Sequence, residues 1–199
     1  AGPTTWSPRA GSRRSTAFST APPTRPLSPY GFSKLMSEIM LHDVATAHGM
    51  KYVALRYFNV YGPRMDIYGA YTEVLIRWME KIAAGEPPLI FGDGQQTMDF
   101  VFVEDVARAN IIAAESGITD EVFNIGNGAE TSLQQLLTVL LRVMGSSLQP
   151  QYVEERKINP VQRRLADIRK AEHLLGFRSQ VSLLEGVERL VSWWRQERM

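Results

Sequence analysis

Strand-like and helix-like segments alternate along this 199-residue chain from residue 29 onward. Short runs rich in β-branched and aromatic residues stand between longer segments with helical spacing of their apolar positions. The predicted strands are 51–57, 87–91, 99–103, 121–126 and 149–155, and the predicted helices are 29–48, 70–85, 103–116, 131–145, 167–175 and 182–197. Because strands that alternate with helices form sheets covered by helices, the sequence predicts an α/β fold.

Composition excludes several classes of chemistry. The chain has no cysteine and only three histidines, so disulfides, thiolate catalysis and cysteine zinc sites are excluded, and metal catalysis is not expected. The net charge of +1 gives no reason to expect a nucleic acid or a membrane surface as partner. No apolar run approaches the length of a membrane span and no signal peptide is visible, so a cytoplasmic location is expected.

Residues 1–25 differ from the rest of the chain. They contain four arginines and no acidic residue, are rich in Pro, Ser, Thr, Gly and Ala, and show neither helical nor strand periodicity. This composition predicts an irregular, disordered or poorly packed arm. A basic tail that binds a partner is the alternative interpretation.

A tyrosine and a lysine stand four residues apart near the start of the first predicted helix. Ser28 is a suitable N-cap, Pro29 suits the first helical position, and Tyr30 and Lys34 would share one helix face. An ammonium beside a phenol favours the phenolate, which can take a proton from an alcohol hydroxyl. One such pair can also arise by chance, so the pair alone indicates a catalytic site only weakly.

Polar and aromatic residues follow the first predicted strand. In open α/β sheets, ligands bind at the carboxyl ends of the strands, and Phe58 and Asn59 stand at this end. The Asn59 amide could bind a sugar hydroxyl or a base edge, or it could form only a local turn.

Two other segments have a functional and a structural interpretation each. Gly92 and Gly94 could let backbone approach a phosphate, or they could form a tight hairpin. The basic residues near 156–164 suit a diphosphate, although solvated charge is the commoner explanation. Asp105 is expected to cap or open the helix that starts near residue 103.

Four stretches in order, SPYGFSK, LRYFNVYGPR, FGDGQQTMDFVFVEDVARA and FNIGNG, resemble the extended short-chain dehydrogenase/reductase family. Within it they are most similar to NAD-dependent nucleotide-sugar epimerases and dehydratases, and the resemblance covers residues 26–199. It implies a partial Rossmann-like parallel sheet with a smaller α/β substrate lobe. The implied units are a remnant of the dinucleotide-binding domain (26–66 and 99–126) and a nucleotide-sugar lobe (67–98 and 127–199).

The resemblance also implies roles for particular residues. Tyr30 would be the acid/base, Lys34 would lower its pKa and hold the nicotinamide ribose, and Phe58 would contact the cofactor NAD. The implied substrate contacts are Asn59, Leu89, Phe91, Arg156 and Arg164. The implied reaction is epimerisation of a UDP-linked hexose through a 4-keto intermediate, in an enzyme that is a homodimer at full length.

This chain departs from the family pattern in four ways. It lacks the glycine-rich strand–loop–helix that precedes the tyrosine and holds the cofactor pyrophosphate, and it lacks the strand that ends in a serine or threonine. Met98 stands where many members have an arginine against the substrate diphosphate, and the Arg-x-Gly-Asp segment is altered near Arg156. We therefore expect a truncated enzyme, with a 4,6-dehydratase or a non-catalytic sugar-nucleotide-binding fragment as alternatives.

Overall fold

The computed structural model of this protein describes residues 26, 28–68, 73–155 and 162–198. Its α-helices are α1 (Pro29–His48), α2 (Val74–Ala83), α3 (Val103–Glu115), α4 (Leu133–Met144) and α5 (Leu183–Gln196), and a short π-helix spans Ala171–Leu175. Its strands are β1 (Val53–Tyr57), β2 (Asn59–Tyr61), β3 (Leu89–Phe91), β4 (Thr97–Met98), β5 (Phe100–Phe102), β6 (Glu121–Ile125), β7 (Thr131–Ser132) and β8 (Gln151–Val153). The predicted arm 1–25 lies outside the described residues, as do Arg156 and Lys157.

The strands pair mainly in parallel, which confirms the predicted α/β fold. β1 pairs with β6, β2 with β5, and β3 with β8, all in parallel, while β4 and β7 are antiparallel. Between β1 and β2 the chain changes partner at Phe58, whose N–H donates to Ile125 of β6. The next N–H, that of Asn59, donates to the Asp99 carbonyl beside β5. Residues 58 and 59 therefore stand where two strand pairs meet.

Local capping chemistry fixes the helix ends that the sequence predicts. The Ser28 hydroxyl accepts a hydrogen bond from Gly31 N–H at the start of α1, and α1 ends at Gly49, whose φ is +63°. α4 begins with a reciprocal capping box between Ser132 and Gln135. These signals depend on neighbours within a few residues, so the sequence predicts the bounds of both helices closely.

The glycine-containing loop after β3 does not form the tight hairpin considered above. β3 and β4 lie on either side of this loop, yet β3 pairs with β8 and β4 with β7. Gly92 and Gly94 have φ values of +78° and +75°, which glycine adopts without strain. The loop is thus a connection between two sheets rather than a turn within one.

Two apolar clusters form the core. One joins α2, α4 and α5 around residues such as Ile76 and Leu136, and the other joins α3, β6 and the π-helix around Phe123. Each cluster draws residues from both predicted units, and the division into units stays a prediction. Within the described part of the chain, no helix is long and apolar enough to cross a membrane.

Polar side chains attach α1 to β1. Glu38 of α1 accepts two hydrogen bonds from Arg56 of β1, and His42, one turn later, lies 3.3 Å from the Tyr52 hydroxyl just before β1 begins. The later helix residue, His42, thus contacts the earlier residue, Tyr52, and the earlier helix residue, Glu38, contacts the later one, Arg56. The helix and the strand therefore run antiparallel. The N-terminus of α1 accordingly lies toward the carboxyl end of β1.

Candidate active site

Tyr30 and Lys34 are adjacent in the first turns of α1, as their spacing predicts. The Lys34 ammonium lies 5.2 Å from the centre of the Tyr30 ring, and the Tyr30 side chain is 72% exposed. Neither the phenol nor the ammonium makes a hydrogen bond to a residue of the described part. Both polar groups are therefore available to a ligand, while their catalytic role stays a prediction.

The pair lies on the same side of α1 as Glu38, which contacts β1. Tyr30, Lys34 and Glu38 follow one another at intervals of four residues, which keeps them on one side of a helix. Glu38 contacts Arg56 near the end of β1. Lys34 and Tyr30 stand one and two turns closer to the helix N-terminus, the end of α1 that lies toward the carboxyl end of β1, where Phe58 and Asn59 follow.

The Asn59 side chain keeps free hydrogen-bonding capacity. Asn59 opens β2 instead of forming a turn, and its amide Nδ2 donates to the Met98 sulfur at 3.5 Å. A thioether is a weak acceptor, and this contact leaves the Asn59 carbonyl oxygen uncommitted among the described residues. The half-buried amide could accept a hydrogen bond from a hydroxyl, and its predicted contact with the substrate stays a prediction.

A buried carboxylate that the sequence analysis missed organises this region. Asp99 is fully buried and accepts hydrogen bonds from the backbone N–H groups of Asn127, Gly128 and Ala166, at 2.6, 2.9 and 3.2 Å. Burial raises the Asp99 pKa, and the three N–H donors partly offset that rise. The sequence did contain a signal for this role. Asp99 stands within the apolar run MDFVF, and a carboxylate buried in such a run requires hydrogen-bond partners.

Asp99 connects three segments, two of which carry predicted contacts. Its backbone carbonyl binds Asn59, its side chain holds the turn after β6, and the same side chain fixes Ala166, two residues after Arg164. Asp99 therefore sets the relative positions of Asn59, through its backbone carbonyl, and of the segment that contains Arg164, through its carboxylate.

The segment Leu89–Phe91 forms β3, whose backbone is bound by two side chains. The Trp78 indole N–H donates to the Leu89 carbonyl at 2.7 Å, and the Gln96 amide donates to the Phe91 carbonyl at 2.8 Å. Ile90, between them, is fully buried. β3 is therefore held rigidly, and its predicted contact with a nucleotide base stays a prediction.

Two neighbouring arginines of the predicted basic run have different surroundings. Arg163 forms a bidentate ion pair with Glu130, whereas the half-buried Arg164 side chain has no hydrogen bond or ion pair within the described residues. Arg163 is thus a paired surface charge, which is the structural interpretation of the basic run. The Arg164 guanidinium has no partner among the described residues, and its predicted ligand contact stays a prediction.

Asp105 does not cap α3, contrary to one expectation from the sequence. It lies in the first turn of the helix and is fully buried, but its carboxylate accepts from the Ser179 hydroxyl and from the N–H groups of Gln180 and Val181. It also pairs with Arg108 at 2.6 Å. Asp105 thus holds α3 to the segment that leads into α5, a structural role.

Comparison with known proteins agrees with this geometry. The model of the family described as the NAD dependent epimerase/dehydratase family matches residues 5–126. A putative UDP-glucose 4-epimerase of Methanocaldococcus jannaschii is 40% identical over 173 residues, which cover 87% of this chain and 55% of that relative. The chain spans about half the length of the curated relatives it matches.

Solved structures of similar enzymes share the fold. The UDP-glucose 4-epimerase of Thermotoga maritima, solved with UDP-glucose, superposes with a TM-score of 0.83 at 41% identity, over 88% of this chain and 56% of that one. The UDP-glucuronic acid 4-epimerase of Bacillus cereus, solved with UDP-glucuronic acid and NAD, gives 0.79 at 34% identity, over 87% and 54%. Because the family model covers more than half of the chain, this protein belongs to the NAD dependent epimerase/dehydratase family.

Proposed function

We propose that this chain carries the substrate-binding and proton-transfer part of an NAD-dependent epimerase that acts at C4 of a UDP-linked hexose. The observation that carries the proposal is the adjacent pair Tyr30 and Lys34, whose polar groups have no hydrogen-bond partner among the described residues, at the end of α1 that lies toward the carboxyl end of β1. The relatives named above act on UDP-glucose and UDP-glucuronic acid, which supports a UDP-sugar as the substrate.

In this proposal Tyr30 takes the proton of the C4 hydroxyl and later returns it. The positive charge of Lys34 stabilises the phenolate, which is the form that can accept the proton. Asn59 orients the sugar through its free amide oxygen, while β3 supports the nucleotide.

The residues at this site fit the nicotinamide end of NAD. Tyr30, Lys34 and Phe58 would hold its ribose and ring, and the available ammonium suits a ribose hydroxyl. When bound, NAD supplies a reversible hydride acceptor for C4. The chain sequence has no glycine-rich strand–loop–helix for the pyrophosphate, so the 199-residue chain by itself should bind NAD only weakly.

The test is proton-transfer activity in a chimera. Residues 26–199 would be joined to the preceding part of the Thermotoga maritima enzyme, and interconversion of UDP-glucose and its C4 epimer followed by NMR. Tyr30→Phe should lower turnover by roughly two to four orders of magnitude, the range of acid/base groups. The matched control Tyr68→Phe, at a side chain that is 84% exposed, should keep full activity. Equal activity of the two variants would remove Tyr30 from the mechanism.

The assembly and location of the full enzyme belong to the same proposal. A homodimer is supported by exposed apolar side chains on α1, namely Phe32, Met36, Ile39, Met40 and Val44. Light scattering on the chimera measures its mass directly, and Met40→Lys should weaken a dimer built on this face. We retain the cytoplasm as the proposed location.

A further inference from the structure

The outer edge of β1, which is the edge turned away from β6, has no strand partner among the described residues. In that part of the chain β1 pairs with β6 alone. The Tyr52 carbonyl accepts from the Asp120 N–H, and the Phe58 N–H donates to the Ile125 carbonyl, so both groups point toward β6. Because backbone groups alternate in direction along a strand, every second residue from 52 to 58 faces β6. The outward N–H and C=O groups are those of Val53, Leu55 and Tyr57.

The side chains of these three outward residues line a groove on the α3 side of the sheet. Together with Asn110 and Ala114 of α3 they border a cavity of about 470 Å³. All three are at least partly exposed, Tyr57 by 47%. On the opposite face of β1, Arg56 is held by Glu38 of α1. A strand added at this edge would thus cover apolar surface beside α3 and leave the α1 contacts in place.

This edge lacks the features by which proteins usually protect an exposed strand. Such features are proline, lysine, a bulge or a covering segment. β1 contains neither proline nor lysine, and its register with β6 is continuous. The preceding residues 1–25 contain four prolines and four arginines without strand periodicity, so their sequence does not predict a strand for this edge. The edge is therefore suited to a strand from another molecule.

A second copy of β1 fits this edge in an antiparallel register about a two-fold axis. With the axis at Leu55, this residue lies opposite its own counterpart, and Val53 lies opposite Tyr57 of the second copy. Each outward N–H then meets an outward carbonyl, and each Val–Tyr pair joins a β-branched to an aromatic side chain, a favourable cross-strand combination. Arg56 lies opposite Ala54 of the second copy, so like charges do not meet across the axis.

We propose that the outer edge of β1 is a self-association surface, at which two copies of this chain join their β1 strands in antiparallel pairing. The joined strands make one continuous sheet in the order β6, β1, β1, β6. This surface differs from the exposed apolar face of α1 that the proposed homodimer of the full enzyme uses. The association does not depend on the catalytic function, because Tyr30 and Lys34 lie outside the edge.

Sedimentation equilibrium of the purified 199-residue chain tests the association. All chains carry Met40→Lys, which disfavours contact through the α1 face, and this reference chain should still form a dimer. Tyr57→Lys places a charge on the edge, and the two-fold axis repeats the change. The dimer dissociation constant should therefore rise by about tenfold or more. The matched control Ile111→Lys, at a 57% exposed side chain of α3, should change it by less than about twofold.

Circular dichroism confirms that each of these chains is folded. A reference chain that stays monomeric at every concentration overturns the inference, as does equal weakening of the dimer by Tyr57→Lys and Ile111→Lys.

A cross-link tests the register of the pairing. The chain has no cysteine, so a single introduced thiol reports on its own position. Leu55→Cys brings two thiols to the two-fold axis, where paired Cα atoms lie about 5.5 Å apart, a separation that a disulfide spans. Oxidised glutathione should then give a covalent dimer on a non-reducing gel, whereas Ile111→Cys should give little. Equal cross-linking of the two variants, or none by Leu55→Cys in a chain that associates, would exclude this pairing.

Discussion

Glu38 of α1 and Arg56 of β1 form a bidentate ion pair, with distances of 2.7 and 2.6 Å between their donor nitrogens and acceptor oxygens. α1 has a single buried residue, Ala45, so apolar packing contributes little to its attachment. The ion pair therefore does much to hold the helix that carries Tyr30 and Lys34 at the carboxyl end of β1.

Glu38→Gln should loosen α1 more than the rest of the molecule. Both side chains are less than a third exposed, and loss of the paired charge should cost about 1 to 2 kcal/mol. Hydrogen exchange measured by mass spectrometry should show faster exchange across α1 and little change in α4. Asp43→Asn on the same helix, which removes an exposed carboxylate without a partner in the described residues, is the control. Equal exchange in both variants would contradict the role of the pair.

Asp105→Asn should destabilise the whole chain. The fully buried carboxylate accepts from two backbone N–H groups and the Ser179 hydroxyl and pairs with Arg108, and an amide cannot replace it at every partner. We expect a loss of about 2 to 4 kcal/mol in the free energy of unfolding, measured by urea denaturation. The neighbouring Glu104 forms an exposed ion pair with Arg189. Glu104→Gln should therefore lower the free energy of unfolding by less than about 1 kcal/mol. A larger loss of stability in Glu104→Gln than in Asp105→Asn would refute the structural role of Asp105.

Gly126→Ala should disturb the region that Asp99 organises. A Cβ at this position would lie 2.6 Å from the Ala166 Cβ and 2.9 Å from a carboxylate oxygen of Asp99. Such overpacking costs about 1 to 3 kcal/mol. Ala166→Gly in the same chain removes the closer contact and should recover part of the loss. Thermal unfolding of the single and double variants measures both effects, and an unchanged midpoint in Gly126→Ala would contradict the packing described.

Alkaline pH should destabilise the protein through Tyr61. Burial raises the Tyr61 pKa above its ordinary value of 10.0, with nearby Asp105 and Glu185 adding to the rise. The folded state thus holds this proton more tightly than the unfolded state does. The stabilisation is complete below pH 10 and is lost as the pH rises above it.

Urea midpoints at pH 8 and pH 11 measure this loss. Tyr61→Phe should lose less stability between the two pH values than the wild type, because the buried ionisable group is gone. Tyr68→Phe removes a hydroxyl from an exposed side chain and should retain the wild-type loss. The same pH dependence in Tyr61→Phe and the wild type would exclude Tyr61 as its source.

The sequence by itself determined those features that depend on neighbours a few residues away. Ser28, Gly49 and the capping residues of α4 set helix ends by local hydrogen bonds. The four-residue spacing of Tyr30 and Lys34 placed them side by side, because the helix repeat alone decides which residues share a face. The order of strands and helices likewise indicated the α/β class.

Tertiary structure alone decided the features that join distant parts of the chain. Asp99 binds N–H groups 28 and 29 residues away, and Asp105 binds a segment more than 70 residues away. The pairing of β3 with β8 replaced the hairpin that a short glycine-containing loop suggests. Arg163 lies beside Thr97 only through a β-bridge that joins positions 66 residues apart. Local patterns cannot encode such relationships, because a buried carboxylate or a strand edge requires a partner but does not specify which distant segment supplies it.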